Sequence, residues 1–322
     1  MVQQEASVHG SFGGVLAGIG NTPLVELRRV VPRGSARVLV KLEWANPTGS
    51  MKDRMALAAI EAAESDGRLT GGGTVVEYTA GTTGISLALV CAAKGYNLEI
   101  VFSDAFSDEK RRTMQAFGAH ITDVRSDNRK INEALIREMI RTAGEISRRP
   151  GHWYCDQLRN HDAIKGYLAL GDEIWEQTSG NVSAFVHAVS TAHSIHGVTQ
   201  ALRAKNRAIR VVAVEPAESA VLSGGPSGSH KIEGIGIGFI PPLWQPELVD
   251  AITTVTTADA KAMARRLARE EGIFAGTSTG ANVVAALQVA AQLGPGSTVV
   301  TIAVDSGLRY LSTDVYAQEP GT

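Results

Sequence analysis

The sequence predicts an α/β protein of two lobes, each a parallel-rich open sheet flanked by helices. Three observations carry this prediction. Short β-branched apolar runs alternate with longer stretches of helical period, the pattern of βα units. The apolar runs are too many for one modest sheet. The chain is 322 residues long, enough for two ordinary domains.

The elements follow in order. RVLVKLE (37–43) reads as a strand, and MALAAIEAAESDG (55–67) has helical spacing with a glycine stop. GTVVEY (73–78) is a strand, TGISLALVCAAKG (83–95) a helix ending at Gly95, and NLEIVF (97–102) a strand. SDEKRRTMQAFG (107–118) opens on a serine N-cap and closes on glycine. AHITDV (119–124) is a strand and INEALIREMIRTAGEI (131–146) a helix. The second half repeats the rhythm: helix 163–178, strand 183–189, helix 194–205, strand 209–216, helices 258–272 and 280–294, strand 297–304. Residues 217–242 are glycine-rich and aperiodic, and a loop of that length in a compact domain is usually functional.

Composition excludes several classes. Apolar residues make up 44% and charged residues 20%, ordinary for a globular chain with a real core. A net charge of −2 lacks the basic excess of a nucleic-acid binder. No run approaches the ~20 apolar residues that span a bilayer. The N-terminal MVQQEASVHG has no signal-peptide pattern, and AQEPGT at the other end reads as a frayed tail. Cys91 and Cys155 make no disulfide framework; Cys91 reads as buried, and Cys155 could border a cleft. Two thiols of this kind suit a reducing cytoplasm.

Ligands of doubly wound sheets bind beyond the carboxyl ends of strands, so the strand-to-helix turns are the places to look. NPTGSMKDR (46–54) sets Lys52 in a tight turn. EYTAGTTG (77–84) puts hydroxyls and glycines at a helix start, where free N–H groups hold an anion. VSTAHSIHG (189–197) does the same for a phosphate, and GTSTGAN (276–282) offers hydroxyls to a ligand ring. A capped helix explains each turn in isolation. His187, His193 and His196 invite a metal, but no cysteine or carboxylate ligand lies near them, so none is expected. Taken together, one lysine, two anion cradles and a hydroxyl for a ring suggest a Schiff base to pyridoxal phosphate.

These segments resemble the cysteine synthase and cystathionine β-synthase family of fold-type II pyridoxal-phosphate enzymes, whose fold is like the tryptophan synthase β subunit. The resemblance runs from GNTPL (20–24) to DSGLRYLST (305–313), with GDEIWEQT, HKIEGIGIGFIP and GIFAGTSTGAN in family order. It implies that Lys52 carries the cofactor and shuttles the Cα proton, with a pKa depressed in a dry pocket. Ser278 would bond the pyridine nitrogen; a neutral hydroxyl there makes a weaker electron sink than a carboxylate would sustain, favouring β-elimination and replacement. Thr79, Ala80, Gly81 and Thr83, with Gln157 and Gly234, would hold the substrate. Thr82 and the loop Ser190, Thr191, Ala192, His193 and Ser194 would hold the cofactor. The resemblance also implies a smaller mobile lobe over 46–155, a larger cofactor-binding lobe made of 1–45 with 156–322, and a homodimer.

The chain departs from the family in three places. The substrate loop usually reads Thr-Ser-Gly-Asn-Thr; here Ala80 removes one donor, and Thr82 replaces the asparagine that bonds the cofactor's phenolic oxygen. The phosphate loop usually reads Gly-Thr-Gly-Gly-Thr, whereas here it is Ser-Thr-Ala-His-Ser. Glycines there let backbone approach a phosphate and permit positive φ; the histidine adds bulk, while the Thr191 and Ser194 hydroxyls remain. Leu308 stands where glutamate is common.

The expected activity is β-replacement on an O-activated L-serine, acetyl or phospho, through an aminoacrylate, with sulfide, a thiol or an amine adding second. The alternatives are β-elimination or dehydration on the same cofactor, a diaminopropionate-type synthase, or a relative that has lost catalysis.

Overall fold

A computed structural model describes residues 14–129, 131 and 133–317. Its elements are β1 (Leu24–Glu26), β2 (Arg37–Leu42), α1 (Lys52–Ser65), β3 (Thr74–Tyr78), α2 (Thr82–Lys94), β4 (Asn97–Ser103), α3 (Asp108–Ala116), β5 (His120–Val124), α4 (Glu133–Ile146) and β6 (His152–Tyr154). There follow α5 (Lys165–Gln177), β7 (Ala184–Ala188), α6 (His193–Lys205), β8 (Arg210–Pro216), β9 (Ala251–Val255), α7 (Thr257–Arg266), α8 (Thr277–Leu293) and β10 (Thr298–Ala303).

Two sheets result. One has the order β1-β2-β10-β7-β8-β9 and is parallel except for β1, which pairs antiparallel with β2. The other, β5-β4-β3-β6, is parallel throughout. Every residue of β7 and β10 is buried, as central strands covered by helices on both faces require. A continuous core joins the sheets: Ile100 and Phe102 of β4, Met55 and Ile60 of α1, and Phe185 and Val300 of the larger sheet belong to one cluster. Each such side chain stabilises the fold by about 1.5–3 kcal/mol.

The expected elements form close to where they were placed. β1, β6 and β9 were not anticipated; β1 and β6 are three residues each, too short to show a period. The helix expected over 258–272 is α7 followed by a π-helical turn, Leu267–Glu271. Ser107 does precede α3, but its hydroxyl makes no capping bond. Cys155 is buried and its thiol is pushed well above the ordinary range by burial, so it borders no open cleft. The N-terminal MVQQEASVHG, Asn132 and the tail beyond Ala317 lie outside the described residues. Residues 217–242 carry no strand, only a 3-10 turn at Ala217–Ser219. The segment is anchored at the larger sheet: Gly236 N–H donates to Val189 O at 3.0 Å and Glu233 N–H to Thr277 Oγ1 at 3.1 Å. No helix among the described residues is long and apolar enough to cross a membrane.

Candidate active site

Lys52 is the first residue of α1. The turn that delivers it is pinned against the end of β10: Ser50 bridges Asp305, and Met51 N–H donates to Val304 O at 3.0 Å. Asp53 locks the turn from behind, accepting from Thr48 N at 2.8 Å and Thr48 Oγ1 at 2.5 Å. The Lys52 amine itself has no hydrogen bond or ion pair among the described residues. It keeps partial solvent access, yet protein surrounds it densely, and burial lowers its pKa to about 8 while the Asp305 carboxylate pulls the other way. Asp305 is buried; Tyr310 O–H donates to its Oδ2 at 2.9 Å.

The backbone then brings α8 to the same place. Gly276 N–H donates to Asp305 O at 3.3 Å, and Ala275 bridges Ser306. Ser278, in the first turn of α8, is buried and its hydroxyl has no partner among the described residues.

The 79–84 turn leaves the C-terminal end of β3. Gly81 takes φ +133, which few residues but glycine adopt. Thr79 Oγ1 accepts from Gly81 N at 2.9 Å and Gly84 N at 3.4 Å, so its own proton is free to donate outward. The N–H groups of Thr82 and Thr83 open α2 without partners among the described residues. Thr83 Oγ1 donates to Gln157 Oε1 at 2.8 Å, and Gln157 Nε2 donates to Tyr78 O at 2.8 Å, which fixes the glutamine against the turn. Ala80 is exposed.

The 190–194 turn follows β7. Ala192 sits where the family has glycine and takes the glycine-like conformation, φ +71, as the N-cap of α6. An L-residue there costs about 1–2 kcal/mol, and no side chain caps α6, leaving its first-turn N–H groups directed at the end of the strand. Two buried histidines brace the turn: His193 bonds Thr191 Oγ1 at 2.7 Å, and His187 bonds Ser194 Oγ at 2.8 Å. Burial pulls both imidazoles down to about 3, and the Lys52 charge acts in the same direction, which puts this turn within electrostatic reach of the lysine.

The Lys52 turn and the start of α8 are therefore tied together at Asp305, and the 79–84 turn is linked to the start of α8 through Lys110, Glu233 and Thr277. Sequence reasoning missed three further parts, and the bracing role of two histidines it had named. Lys110 of α3 lies across Gly81 and pairs with Glu233 of the 217–242 segment, next to Gly234. Asp305 faces Lys52. His187 and His193 act as braces. Behind α1, Arg54 is held between Glu43 (2.7 Å) and Glu173 (2.7 Å), and Glu173 also pairs with Lys41 at 2.7 Å.

Pyridoxal phosphate fits these residues. The unpaired amine of Lys52 matches an aldehyde, the uncapped start of α6 matches a phosphate, and the unpartnered Ser278 hydroxyl matches a ring nitrogen.

The comparisons with known proteins agree with this fit. The family described as pyridoxal-phosphate dependent enzyme matches residues 15–305. A cysteine synthase of Staphylococcus aureus is 43% identical over 301 residues, 93% of this chain and 95% of that protein. The crystal structure of a cysteine synthase from Entamoeba histolytica superposes with a TM-score of 0.89 at 37% identity, covering 100% of this chain and 96% of that one. An O-ureido-L-serine synthase does so with a TM-score of 0.88 at 35% identity, covering 97% of each chain. A two-sheet α/β enzyme that uses pyridoxal phosphate is the class that fold and comparisons define. The chain belongs to the pyridoxal-phosphate dependent enzymes, in the branch of the cysteine synthases.

Proposed function

We propose that this chain catalyses β-replacement on O-acetyl-L-serine, with sulfide, a thiol or an amine as the entering nucleophile. The observation that carries this reading is the Lys52 amine: unpaired, depressed to about 8, and met by three ligand-ready helix starts. The names of the relatives support it, since cysteine synthase and O-ureido-L-serine synthase both describe β-substituted alanines as products.

Pyridoxal phosphate, when bound, supplies the electron sink that makes the substrate Cα–H bond acidic. The chain does the rest. The Thr79 hydroxyl and the N–H groups of Thr82 and Thr83 bind the substrate carboxylate, with Gln157 holding that turn in place. Lys52, with a pKa near neutrality, takes the Cα proton; such a positioned base contributes about 10²–10⁴-fold. Acetate leaves from Cβ with its electron pair. The nucleophile then adds at Cβ, and Lys52 returns the proton to Cα. The Ser278 hydroxyl would bond the ring nitrogen of the bound cofactor, and its neutrality would limit how much charge that ring can store. Ser190, Thr191, Ala192, His193 and Ser194 form the turn that would hold the phosphate.

The β3–β6 sheet with its helices, residues 46–155, is read as the smaller lobe that closes over substrate, and 1–45 with 156–322 as the cofactor-binding lobe. Closure would keep water from Cβ until the nucleophile arrives. The chain is further read as a homodimer, which light scattering checks, and as cytoplasmic, a reading in keeping with two free buried cysteines.

The test is turnover of O-acetylserine with sulfide, thiol and amine in turn, with products identified by mass spectrometry. Lys52→Ala should abolish turnover and the cofactor's lysine-dependent visible absorbance. Wild-type turnover by Lys52→Ala, or pyruvate as the product whichever nucleophile is present, would overturn the reading.

A further inference from the structure

The phosphate turn offers two hydroxyls, and the hydrogen-bond directions around them are opposite. His193 Nε2 lies 2.9 Å from Asn160 O. A carbonyl oxygen only accepts, so Nε2 carries the proton. In a neutral imidazole Nδ1 is then a lone pair, and Thr191 Oγ1 at 2.7 Å must donate to it. The Thr191 proton is spent inside the turn.

His187 has the reverse effect on Ser194. The Asn282 amide is oriented without ambiguity: its Oδ1 accepts from Ala188 N at 2.7 Å, and its Nδ2 donates to Ile302 O at 2.8 Å. The second Nδ2 proton faces His187 Nδ1 at 3.3 Å. That makes Nδ1 the acceptor and Nε2 the donor, and Nε2 donates to Ser194 Oγ at 2.8 Å. The Ser194 proton is left for an outside acceptor.

We infer that His187 and His193 are positioning residues that set the polarity of the phosphate turn, so that Ser194 donates to the cofactor phosphate and Thr191 does not. This rests on the reading that the phosphate occupies the 190–194 turn. The burial of both imidazoles keeps them neutral, as the argument requires. A histidine at 193, where the family usually has glycine, therefore removes one side-chain donor from the phosphate, leaving Ser194 and the backbone N–H groups to hold it.

The experiment measures the affinity of apoprotein for pyridoxal phosphate and for pyridoxal by equilibrium dialysis. Ser194→Ala should weaken pyridoxal phosphate by about 10–100-fold, the value of one hydrogen bond to a charged group, and leave pyridoxal unchanged. Thr191→Val should change it by less than about 3-fold, although it removes His193's donor and lowers stability. In the unmutated holoprotein, ¹⁵N NMR should find His187 and His193 both neutral and protonated at Nε2, a readout that needs no variant to fold. Equal weakening by Thr191→Val and Ser194→Ala, or a doubly protonated His193, would overturn the inference while leaving the phosphate in its turn. No preference for pyridoxal phosphate over pyridoxal in any protein would overturn the placement of the phosphate as well.

Discussion

The Lys110 ammonium lies 2.5 Å from the Glu233 carboxylate and ties α3, beside the smaller sheet, to the 217–242 segment of the larger one. The lysine is almost fully buried and its stem lies across Gly81, so the ion pair also props the turn expected to hold the substrate carboxylate. Glu233→Gln leaves that ammonium unpaired. The cost should fall between exposed and buried pairs, about 1–3 kcal/mol by urea denaturation. In steady-state assays KM for O-acetylserine should rise more than kcat falls, because the prop acts on binding.

Gly81 tolerates no side chain. A Cβ would lie 2.3 Å from Lys110 Cδ, and φ is +133. Gly81→Ala should displace the turn and lower kcat/KM for O-acetylserine by about 10²-fold, as small misplacements at a reacting centre do. The protein should still load the cofactor, since Lys52 and the phosphate turn are untouched.

The depressed Lys52 makes a pH signature in the apoprotein. Between about 8 and its ordinary 10.5 the unfolded lysine holds a proton that the folded one has released. The unfolded state then binds more protons, so the lysine's contribution to stability rises with pH across that window. Wild type minus Lys52→Met, followed by chemical denaturation, should show a positive slope of at most about 1.4 kcal/mol per pH unit there. A flat difference would mean that the amine is not desolvated.

The ion cluster behind α1 predicts a large loss. Glu43 is buried and accepts from Arg54 Nε at 2.7 Å, Arg54 Nη2 at 2.9 Å and Thr22 Oγ1 at 2.6 Å. Glu43→Gln should cost about 3–5 kcal/mol, the penalty for breaking a buried pair from one side. Glu173 adds an acid signature. Burial alone would raise its pKa, but Arg54 and Lys41 outweigh burial and hold it at about 2. Its contribution is complete above its ordinary 4.5 and drains as pH falls toward about 2. Glu173→Gln should remove that acid-range slope from the denaturation profile.

Much of the site was legible because its chemistry is local. Lys52 lies in a nine-residue turn whose proline, glycine and hydroxyls are sequence neighbours, and the helix starts at Thr82, His193 and Thr277 each follow a readable change of period. The buried strands β7 and β10 declared themselves as short, mostly apolar runs between helical stretches. The short β1 and β6 did not, since three residues cannot show alternation and are strands only because a neighbour pairs with them. Lys110 and Glu233 are 123 positions apart, and nothing in either neighbourhood names the other.

By itself the sequence determined the α/β class, the lysine and the turns that could receive an anion, because period, capping and turn chemistry are short-range properties. Only the tertiary structure decided which of two neighbouring hydroxyls has a proton to give. That direction is set by Asn160 and Asn282, which lie 33 and 95 positions from the histidines they bond. A hydrogen bond's polarity depends on what stands at the far side of the ring, and folding alone brings those groups there.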